Sequence, residues 1–592
     1  MKTKVGLVQV NNSFNSQNYL PLSVGYLWTY AQRHAKNIDD FEAIEPIYKR
    51  IKVDAAVEQL SEADLVGFST YVWNYNISRE IAKRVKKRNP DALIVFGGCH
   101  IPDTPEKGLL RFMNDNPFVD IGVIGEGEDV FKQILENYPS KNWKDVNSIV
   151  YRDNDDLKLT VPALRIEDLN KVPSPYLTGY FDKIMNDSKE SWIALLETNR
   201  GCPFKCSYCD WGIGAKKRMS DFDLEGRIFK EIDWISEHKI PYVYCCDANF
   251  GLYKDRDLSI VEKFIEVKKK NGFPARFSVQ NTKNSTESSY NIQKKLVESE
   301  LDSGVLLAFQ SIHEPTLKAV RRNNIKLSTY FELQKRFTRE GVKTFSDIIL
   351  GLPEETYESF THGVNELISR GQHNKIQFNN LSILHNAPIV EDREKYGLET
   401  IMAKIINIHG SLDETEEVPE TQEVVISTNT MKKEDLIKAR VFAYTALFSH
   451  FNKTLQVPNI LANLYSGKTY IELIDLLVDS NLPIMRGIQN KFRTQAETIQ
   501  NGGAEYTPSK RWLNMWWPVD ELAILDLIDT NQIDDFYKEA KILYKGTLDE
   551  LISDMLYFNR ELLIKPEDDT NKIIYLKHNI PEIYRAGLVG NK

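Results

Sequence analysis

The chain has 592 residues, of which 42% are hydrophobic, 27% charged and 11% aromatic. At one domain per roughly 100 to 200 residues, this length predicts about three to five folded domains, and the composition excludes intrinsic disorder. The 75 Lys and Arg residues against 84 Asp and Glu residues give a net charge of -9, which argues against nucleic acid as a partner. The sequence has no apolar run of about 18 residues, so we expect a cytoplasmic protein without a transmembrane segment.

The first 160 residues alternate short apolar runs with amphipathic stretches, the pattern of a parallel sheet with crossover helices. We predict a flavodoxin-like (Rossmann-type) α/β domain over residues 1–160. Its five predicted strands are Lys4–Val10, Phe41–Pro46, Leu65–Ser69, Ala92–Phe96 and Ile121–Ile124. Small or turn-forming residues follow three of them: Ser69-Thr70, Gly97-Gly98 and Gly125-Glu126-Gly127-Glu128. Ligands of such sheets bind at the carboxyl ends of the strands, although each glycine alone also fits an ordinary turn.

Residues 161–190 contain three prolines and no sustained periodicity, which predicts a linker. Residues 191–400 repeat the strand and helix pattern and predict a partial (β/α)6 barrel. Its predicted strands are Trp192–Glu197, Tyr242–Asp247, Ala275–Gln280, Val305–Ser311, Thr344–Gly351 and Ile376–Ile383. Helical periodicity follows, so we predict a mostly helical domain over residues 401–592. Its acidic stretch at residues 413–423 is predicted to be a solvated loop, with a lid or docking site as the alternative.

Three of the six cysteines are clustered after the first predicted barrel strand, in the pattern Cys202-x3-Cys206-x2-Cys209. Six cysteines are too few for a disulfide framework, and clustered thiols in a reducing compartment indicate metal ligands. A structural zinc site takes four ligands, whereas three thiolates on a [4Fe-4S] cluster leave one iron open to an exogenous ligand. The pattern favours the cluster over a zinc knuckle or buried thiols without metal.

This spacing, with an aromatic Tyr208 before the last cysteine, resembles the signature loop of radical S-adenosylmethionine (SAM) enzymes over roughly residues 190–390. The resemblance implies that the open iron binds SAM and that one electron cleaves SAM into methionine and a 5'-deoxyadenosyl radical. It also implies an electron donor such as flavodoxin or ferredoxin. The implied SAM contacts are Tyr208, Asp247 (for the methionine ammonium), Asn249, Gln280, Ser311 and Gly351. The residues at strand ends equally fit ordinary caps and turns.

The N-terminal domain resembles the cobalamin-binding domain that is fused to one large subfamily of radical SAM enzymes. The resemblance is carried by residues 20–27, 66–70, 95–100 and 123–128. The implied cobalamin contacts are Ser69, Thr70, Gly97, Gly98, Gly125, Glu126 and Gly127. The family's Asp-x-His-x-x-Gly motif does not follow the first strand, so the lower axial ligand of cobalt stays open. The alternative is a domain that binds no cofactor.

With both cofactors, the resemblance implies a methyltransferase that methylates an unactivated carbon, using methylcobalamin and the 5'-deoxyadenosyl radical. The expected substrate is a small molecule or natural-product intermediate, and catalytic side chains are not identified. Two alternatives stay open. The first is a cobalamin-dependent radical SAM enzyme that catalyses a rearrangement or cyclisation without methyl transfer, and the second is a non-catalytic cobalamin and iron-sulfur sensor. A tRNA methylthiotransferase is not favoured, because it needs a second N-terminal cysteine triad and only Cys99 precedes residue 202.

Overall fold

The computed structural model describes residues 2–14, 17–154, 156–186, 190–211, 219–282, 287–407, 411–413, 416–547, 549–563 and 572–590. The chain divides into two compact units. The first unit comprises residues 1–302, 383–392 and 404–423, and the second comprises residues 303–382, 393–403 and 424–592. No described helix is both long enough and apolar enough to cross a membrane.

The first unit begins with a seven-stranded sheet. Its strands are β1 (Thr3–Val8), β4 (Phe41–Ala43), β5 (Leu65–Ser69), β6 (Leu93–Gly97), β7 (Ile121–Val123), β8 (Ile149–Asp153) and β9 (Asp156–Leu159). The order is β4-β1-β5-β6-β7-β8-β9, parallel through β7 and antiparallel at β8 and β9. The predicted parallel sheet is therefore confirmed. The antiparallel extension was not predicted, because β9 is polar and largely exposed.

Helices cover both faces of this sheet. They are Leu22–His34, Val53–Gln59, Tyr75–Arg88, Leu109–Asp115 and Glu128–Asn137, with short 3-10 turns at Ile38–Asp40 and Trp143–Asp145. Leu65 and Val66 are adjacent in β5 but belong to different apolar clusters. Successive residues of a strand face opposite sides of the sheet. Each face therefore packs against its own layer of helices. Because both faces are covered, a ligand can reach the strands only at their ends, and in such sheets it binds at the carboxyl edge.

A second sheet of the first unit holds the first three predicted barrel strands. These are β10 (Ser191–Leu196), β13 (Tyr242–Cys245) and β14 (Arg276–Ser278), which are parallel to one another. On the other side of β10 lies β3 (Gln17–Tyr19), parallel to it, followed by β2 (Ser13–Phe14). The N-terminal chain therefore adds strands to the barrel sheet. This pairing was not predicted, because β3 is a three-residue segment without an apolar pattern.

The other elements of this region precede, connect or follow the barrel strands. The short strands are β11 (Asn199–Arg200) and β12 (Ser220–Asp221), which pair antiparallel. The helices are Tyr180–Asn186, Phe229–Glu237, Lys254–Asn271 and Glu287–Glu298, with a π-turn at Leu224–Ile228 and 3-10 turns at Leu169–Lys171 and Pro388–Val390.

The acidic stretch at residues 413–423 caps two helices of the N-terminal domain. The carboxylate of Glu417 accepts the backbone N–H of Val53 at 2.9 Å, at the start of one helix. The carboxylate of Glu420, which is 1% exposed, accepts the N–H of Asn76 at 2.7 Å and that of the next residue at 3.0 Å. Helix N-termini attract negative charge. The predicted solvated loop is therefore corrected at the buried Glu420, whereas Glu417 is exposed as predicted and residues 414 and 415 lie outside the described part of the chain.

Replacing Glu420 with Gln is expected to lower the thermal unfolding midpoint of the protein. Gln keeps the shape of the side chain but removes the charge that the buried Arg50 contacts at 3.3 Å. Removing one member of a buried ion pair costs about 3 to 5 kcal/mol, because the other charge stays buried. Glu45→Gln, at an exposed position of the same unit, is the control. Equal unfolding midpoints for the two variants would contradict the capping role.

The second unit contains the other three predicted barrel strands and most of the helices. The parallel strands are β15 (Val305–Leu306), β16 (Thr344–Leu350) and β17 (Lys375–Asn380), in the order β15-β16-β17. Their connecting helices are Glu314–Ala319, Leu327–Arg339 and Tyr357–Ser369. The β and α alternation predicted for this stretch is confirmed, although β15 is shorter than predicted.

The C-terminal third is mainly helical in its described residues, as predicted. The helices are Arg393–Tyr396, Lys433–Ala446, Gln456–Ser466, Tyr470–Val478, Pro483–Gln500, Val519–Asp529, Ile533–Leu543, Ile552–Glu561 and Ile580–Leu588, with a π-turn at Leu447–Phe451. The strands are β18 (Glu399–Lys404), β19 (Thr421–Ser427), β20 (Thr507–Ser509) and β21 (Met515–Trp517). The pair β20 and β21 forms an antiparallel hairpin.

Candidate active site

The three clustered cysteines lie on an irregular loop that follows β11. Cys202 and Cys206 are 5% and 6% exposed, and Cys209 is half-buried. The backbone N–H of Cys209 donates to the carbonyl of Cys206 at 3.3 Å, which closes a turn around the half-buried Tyr208. Among the described residues, no three His, Cys, Asp or Glu side chains form a group arranged to hold a single metal ion. Three thiols within eight residues, two of them buried, are a donor set that suits a [4Fe-4S] cluster.

Asp247 binds the backbone just ahead of this loop. It is fully buried and accepts the N–H groups of Thr198 at 2.8 Å and Asn199 at 3.1 Å, the side-chain amide of Asn199 at 2.7 Å and the hydroxyl of Thr198. Burial raises the pKa of Asp247 to about 7, although these hydrogen bonds act in the opposite direction. Asp247 therefore positions the segment that leads into Cys202. Its predicted contact with the SAM ammonium stays a prediction.

Two other residues of the first unit that are predicted to contact SAM also have hydrogen-bond partners within the protein. The amide nitrogen Nδ2 of Asn249 lies 3.1 Å from Sγ of Cys202. The amide nitrogen of Gln280 donates to the hydroxyl of Tyr244 at 3.0 Å, and its backbone carbonyl accepts the N–H of Phe250 at 2.8 Å. The ends of β13 and β14 are thus joined close to the cysteine loop.

Ser311 and Gly351 lie in the second unit. The hydroxyl of Ser311 donates to a carboxylate oxygen of Glu355 at 2.6 Å. Burial raises the pKa of Glu355 to about 8, so most of this carboxyl group is protonated at pH 7. Gly351 directly follows β16 and has φ of +85°, a conformation that favours glycine. Their SAM contacts stay predictions.

The carboxyl ends of β5 and β6 form a surface of small residues. Ser69 and Thr70 are 6% and 0% exposed. The N–H and the hydroxyl of Thr70 donate to the carbonyl of Gly97 at 2.8 and 2.7 Å. Gly98 has φ of +99°, and a Cβ there would lie 2.5 Å from the carbonyl oxygen of Thr70. A flat corrin ring needs such an edge, where small residues let the ring approach the backbone.

The glycine-rich turn after β7 contributes to the same edge. Gly125 has φ of +78°, and a Cβ there would meet no atom within 4 Å. The carboxylate of Glu126 accepts a hydrogen bond from Nε of Arg165 at 3.1 Å and another from the backbone N–H of Ile166 at 3.1 Å. Gly127 packs close to Leu27, whose Cδ2 would lie 3.1 Å from an added Cβ. Gly125 thus leaves open space, whereas Glu126 is held by the linker.

An ion-pair network joins this turn to the cysteine loop. Nη2 of Arg200 lies 2.6 Å from the carboxylate of Glu128, and its Nε lies 2.9 Å from that of Glu197. The three side chains are 12%, 7% and 18% exposed, so water screens their attraction only weakly. Arg200 precedes Cys202 by two residues. The network therefore fixes the cysteine loop relative to the carboxyl edge of the N-terminal sheet within one unit.

Residues 383–392 complete the site from a distant part of the chain. The amide of Asn386 donates to the carbonyls of Cys99 at 3.0 Å and Ile101 at 2.8 Å. Nε2 of His385 lies 3.2 Å from Nε2 of His100. The sequence does not predict these contacts, because they join positions 285 or more residues apart and carry no local pattern.

Stability is expected to fall as the pH drops below about 6.5, in part because of His100. Burial and the neighbouring His385 lower the pKa of His100 to about 3. The unfolded chain therefore binds a proton between about pH 6.5 and 3 that the folded chain does not, and stability is lost by at most about 1.4 kcal/mol per pH unit. In thermal unfolding between pH 7.5 and 5, His100→Leu should show a shallower pH dependence than the wild type. The exposed His362→Gln should not, and parallel curves for His100→Leu and wild type would contradict the assignment.

Comparisons with known proteins agree with this geometry. Residues 18–135 match the B12 binding domain family, and residues 196–367 match the radical SAM superfamily. The cobalamin-dependent radical SAM methyltransferase TokK of Streptomyces tokunonensis is 29% identical over 619 residues, covering 97% of this chain and 88% of TokK. The 2-(S-pantetheinyl)-carbapenam-3-carboxylate methyltransferase of Streptantibioticus cattleyicolor is 33% identical over 446 residues, covering 74% of this chain and 64% of that protein.

A solved structure gives the same fold. The radical SAM methyltransferase TsrM from Kitasatospora setae, with cobalamin and a [4Fe-4S] cluster bound, superposes with a TM-score of 0.55 at 14% identity. The match covers 74% of this chain and 88% of TsrM.

The fold and the two matched domains define an enzyme that combines a cobalamin-binding sheet with a radical SAM domain. The chain is an enzyme with the two domains of a cobalamin-dependent radical SAM enzyme, and over nearly its whole length it is similar to the methyltransferase TokK. Its cofactors are a [4Fe-4S] cluster, SAM and cobalamin. The predicted class of enzyme and its cofactors are confirmed, and the rearrangement and sensor alternatives are not supported.

Proposed function

We propose that this enzyme methylates an unactivated carbon of a bicyclic small molecule of the carbapenam carboxylate type. The observation that carries the proposal is the 33% identity over 446 residues to a methyltransferase named for 2-(S-pantetheinyl)-carbapenam-3-carboxylate. TokK, which is similar to nearly the whole chain, is a cobalamin-dependent radical SAM methyltransferase. An unactivated carbon is not a nucleophile, so ordinary displacement on SAM does not methylate it.

The proposed cofactor sites lie in two regions. Cys202, Cys206 and Cys209 would hold the cluster, next to the half-buried Tyr208. Ser69, Thr70, Gly97, Gly98, Gly125, Glu126 and Gly127 would line the cobalamin site. When bound, the cluster with SAM supplies the radical that abstracts hydrogen and the corrin supplies the methyl group. The corresponding domain bounds are 1–160 for cobalamin binding, 161–190 for the linker, 191–400 for the radical SAM domain and 401–592 for the helical domain.

The protein's own contribution is to position and enclose the reacting groups. Asp247 and the Arg200 network hold the cysteine loop, and the burial of Cys202 and Cys206 keeps water from the thiols. Excluding water protects a reactive radical from side reactions. We further propose that the electron comes from a small donor protein such as flavodoxin or ferredoxin, and that the enzyme acts in the cytoplasm.

The test is an anaerobic reaction of the reconstituted enzyme with SAM, a reductant and 2-(S-pantetheinyl)-carbapenam-3-carboxylate. The expected result is a product heavier by one or more methyl groups, with one 5'-deoxyadenosine and one S-adenosylhomocysteine formed per methyl group. Methylation that consumes no 5'-deoxyadenosine would contradict radical activation of the carbon. SAM cleavage without methylation of this substrate, but with methylation of a different small molecule, would overturn the substrate class while leaving the reaction intact.

A further inference from the structure

A buried side-chain amide faces the first cysteine of the loop. Nδ2 of Asn249 lies 3.1 Å from Sγ of Cys202, a normal distance for an N–H group that donates to sulfur. Asn249 is 1% exposed and Cys202 is 5% exposed. A hydrogen bond in such a dry environment is electrostatically stronger than one in water.

Only one orientation of the Asn249 amide lets it donate a hydrogen bond to the sulfur of Cys202. A thiolate accepts hydrogen bonds, and the NH2 group donates them, whereas the carbonyl oxygen of Asn would be repelled by the sulfur charge. The carbonyl oxygen Oδ1 of Asn249 is buried and has no hydrogen-bond partner among the residues that the structure describes. The contact between Nδ2 and sulfur is thus the polar interaction that accounts for the side chain's position.

The backbone around Asn249 is fixed on both sides. Asp247, two residues earlier, accepts hydrogen bonds from the backbone N–H groups of Thr198 and Asn199, where β11 begins ahead of the cysteine loop. Phe250, the next residue, donates its N–H to the carbonyl of Gln280 at 2.8 Å. The N–H of Gly251 donates to the carboxylate of Asp257 at 2.7 Å. The donor is therefore preorganised towards Cys202 and does not depend on a mobile side chain.

We propose that Asn249 is a positioning residue that donates a hydrogen bond to the cluster-ligating sulfur of Cys202 and so raises the reduction potential of the cluster. Reduction adds negative charge to the cluster and its sulfurs, so an N–H donor stabilises the reduced form more than the oxidised form. Asn249 thereby makes the electron transfer that precedes SAM cleavage less unfavourable. This inference rests on the proposed role of Cys202 as a cluster ligand.

The test is an EPR-monitored redox titration of the reconstituted cluster in wild type, Asn249→Leu and Asn249→Asp. Leu keeps the size and removes the donor, whereas Asp keeps the shape and replaces the donor with a charged acceptor. We expect a lower potential in the Leu variant, with the reduced-to-oxidised ratio at fixed potential falling about tenfold, which is about 59 mV for one electron. The Asp variant should fall at least as far.

The control is Asn116→Leu, which removes another fully buried side-chain amide, one that donates to the carbonyl of Phe112 in the N-terminal domain. Its cluster potential is expected to match that of the wild type. An unchanged potential in both Asn249 variants would overturn the proposal, and so would an equal shift in Asn116→Leu. If neither Asn249 variant holds a cluster, the hydrogen bond is tested in the wild type by exchange into deuterated water. The EPR signal of the wild-type cluster must then show an exchangeable proton that is coupled to the cluster at hydrogen-bond distance. The absence of such a proton refutes the hydrogen bond from Asn249. Retention of the cluster after replacement of Cys202, Cys206 and Cys209 would instead refute the ligand assignment on which the inference rests.

Discussion

A chain in which Cys202, Cys206 and Cys209 are all replaced by Ala is expected to lose its iron-sulfur cluster and all SAM cleavage, while it still binds cobalamin. The three thiolates are the proposed ligands of the iron, and no other side chain of the loop can replace three of them. The cobalamin edge lies on a different sheet with its own apolar clusters. The measurements are iron and sulfide content, the absorption spectrum and corrin bound per chain.

Cys245→Ala is the matched control for this variant. Cys245 is also fully buried and ends β13, close in sequence to Asp247, but it lies outside the three-cysteine loop. It should keep about four iron atoms per chain after reconstitution. A cluster that survives in the triple variant would refute the assignment of the loop. Loss of cobalamin together with the cluster would show instead that the two sites fold as one.

The parts of the fold that were predicted correctly are those that leave a local mark in the sequence. Leu65–Ser69 was predicted with the bounds that the structure gives, because a strand covered on both faces is apolar at nearly every position. The helix Lys254–Asn271 leaves an equally local mark, because its buried apolar residues, Phe264 among them, lie along one face. The cysteine spacing is equally local, since the three thiols occupy one loop.

The parts that were missed depend on contacts between distant segments. Nothing in Gln17–Tyr19 predicts that it pairs with β10, because a register between strands is set by tertiary packing and not by three polar residues. The capping role of Glu420 required the helix start at Asn76, which lies 344 residues away. An acidic run looks the same in sequence whether it faces water or two helix N-termini.

Asp247 illustrates the same limit within the site. The sequence predicts a strand that ends at Asp247, whereas β13 ends at Cys245 and Asp247 lies two residues beyond it. The resemblance assigns Asp247 to SAM. The structure surrounds it with donors from Thr198 and Asn199, so its carboxyl group organises the backbone ahead of Cys202. Its SAM contact stays a prediction. Position at a strand end identifies a residue as part of the site, but its partners decide what it does there.

Gly98→Ala is expected to abolish cobalamin binding and to lower the unfolding midpoint. The added Cβ would lie 2.5 Å from the carbonyl oxygen and 2.7 Å from the nitrogen of Thr70, both backbone atoms that cannot rotate away. The ends of β5 and β6 would have to separate, and with them the bonds between Thr70 and Gly97. Corrin bound per chain after reconstitution and the thermal unfolding midpoint are the two measurements.

The control for Gly98→Ala separates this clash from backbone strain. Gly108 has φ of +101°, almost the same as the +99° of Gly98, but a Cβ at Gly108 would meet no atom within 4 Å. Gly108→Ala therefore bears only the cost of a non-glycine residue at positive φ, about 1 to 3 kcal/mol, and should keep full cobalamin binding. If both variants lose the corrin, strain and not the contact with Thr70 controls the site. If Gly98→Ala binds cobalamin as the wild type does, the corrin does not depend on the close approach of these two strand ends.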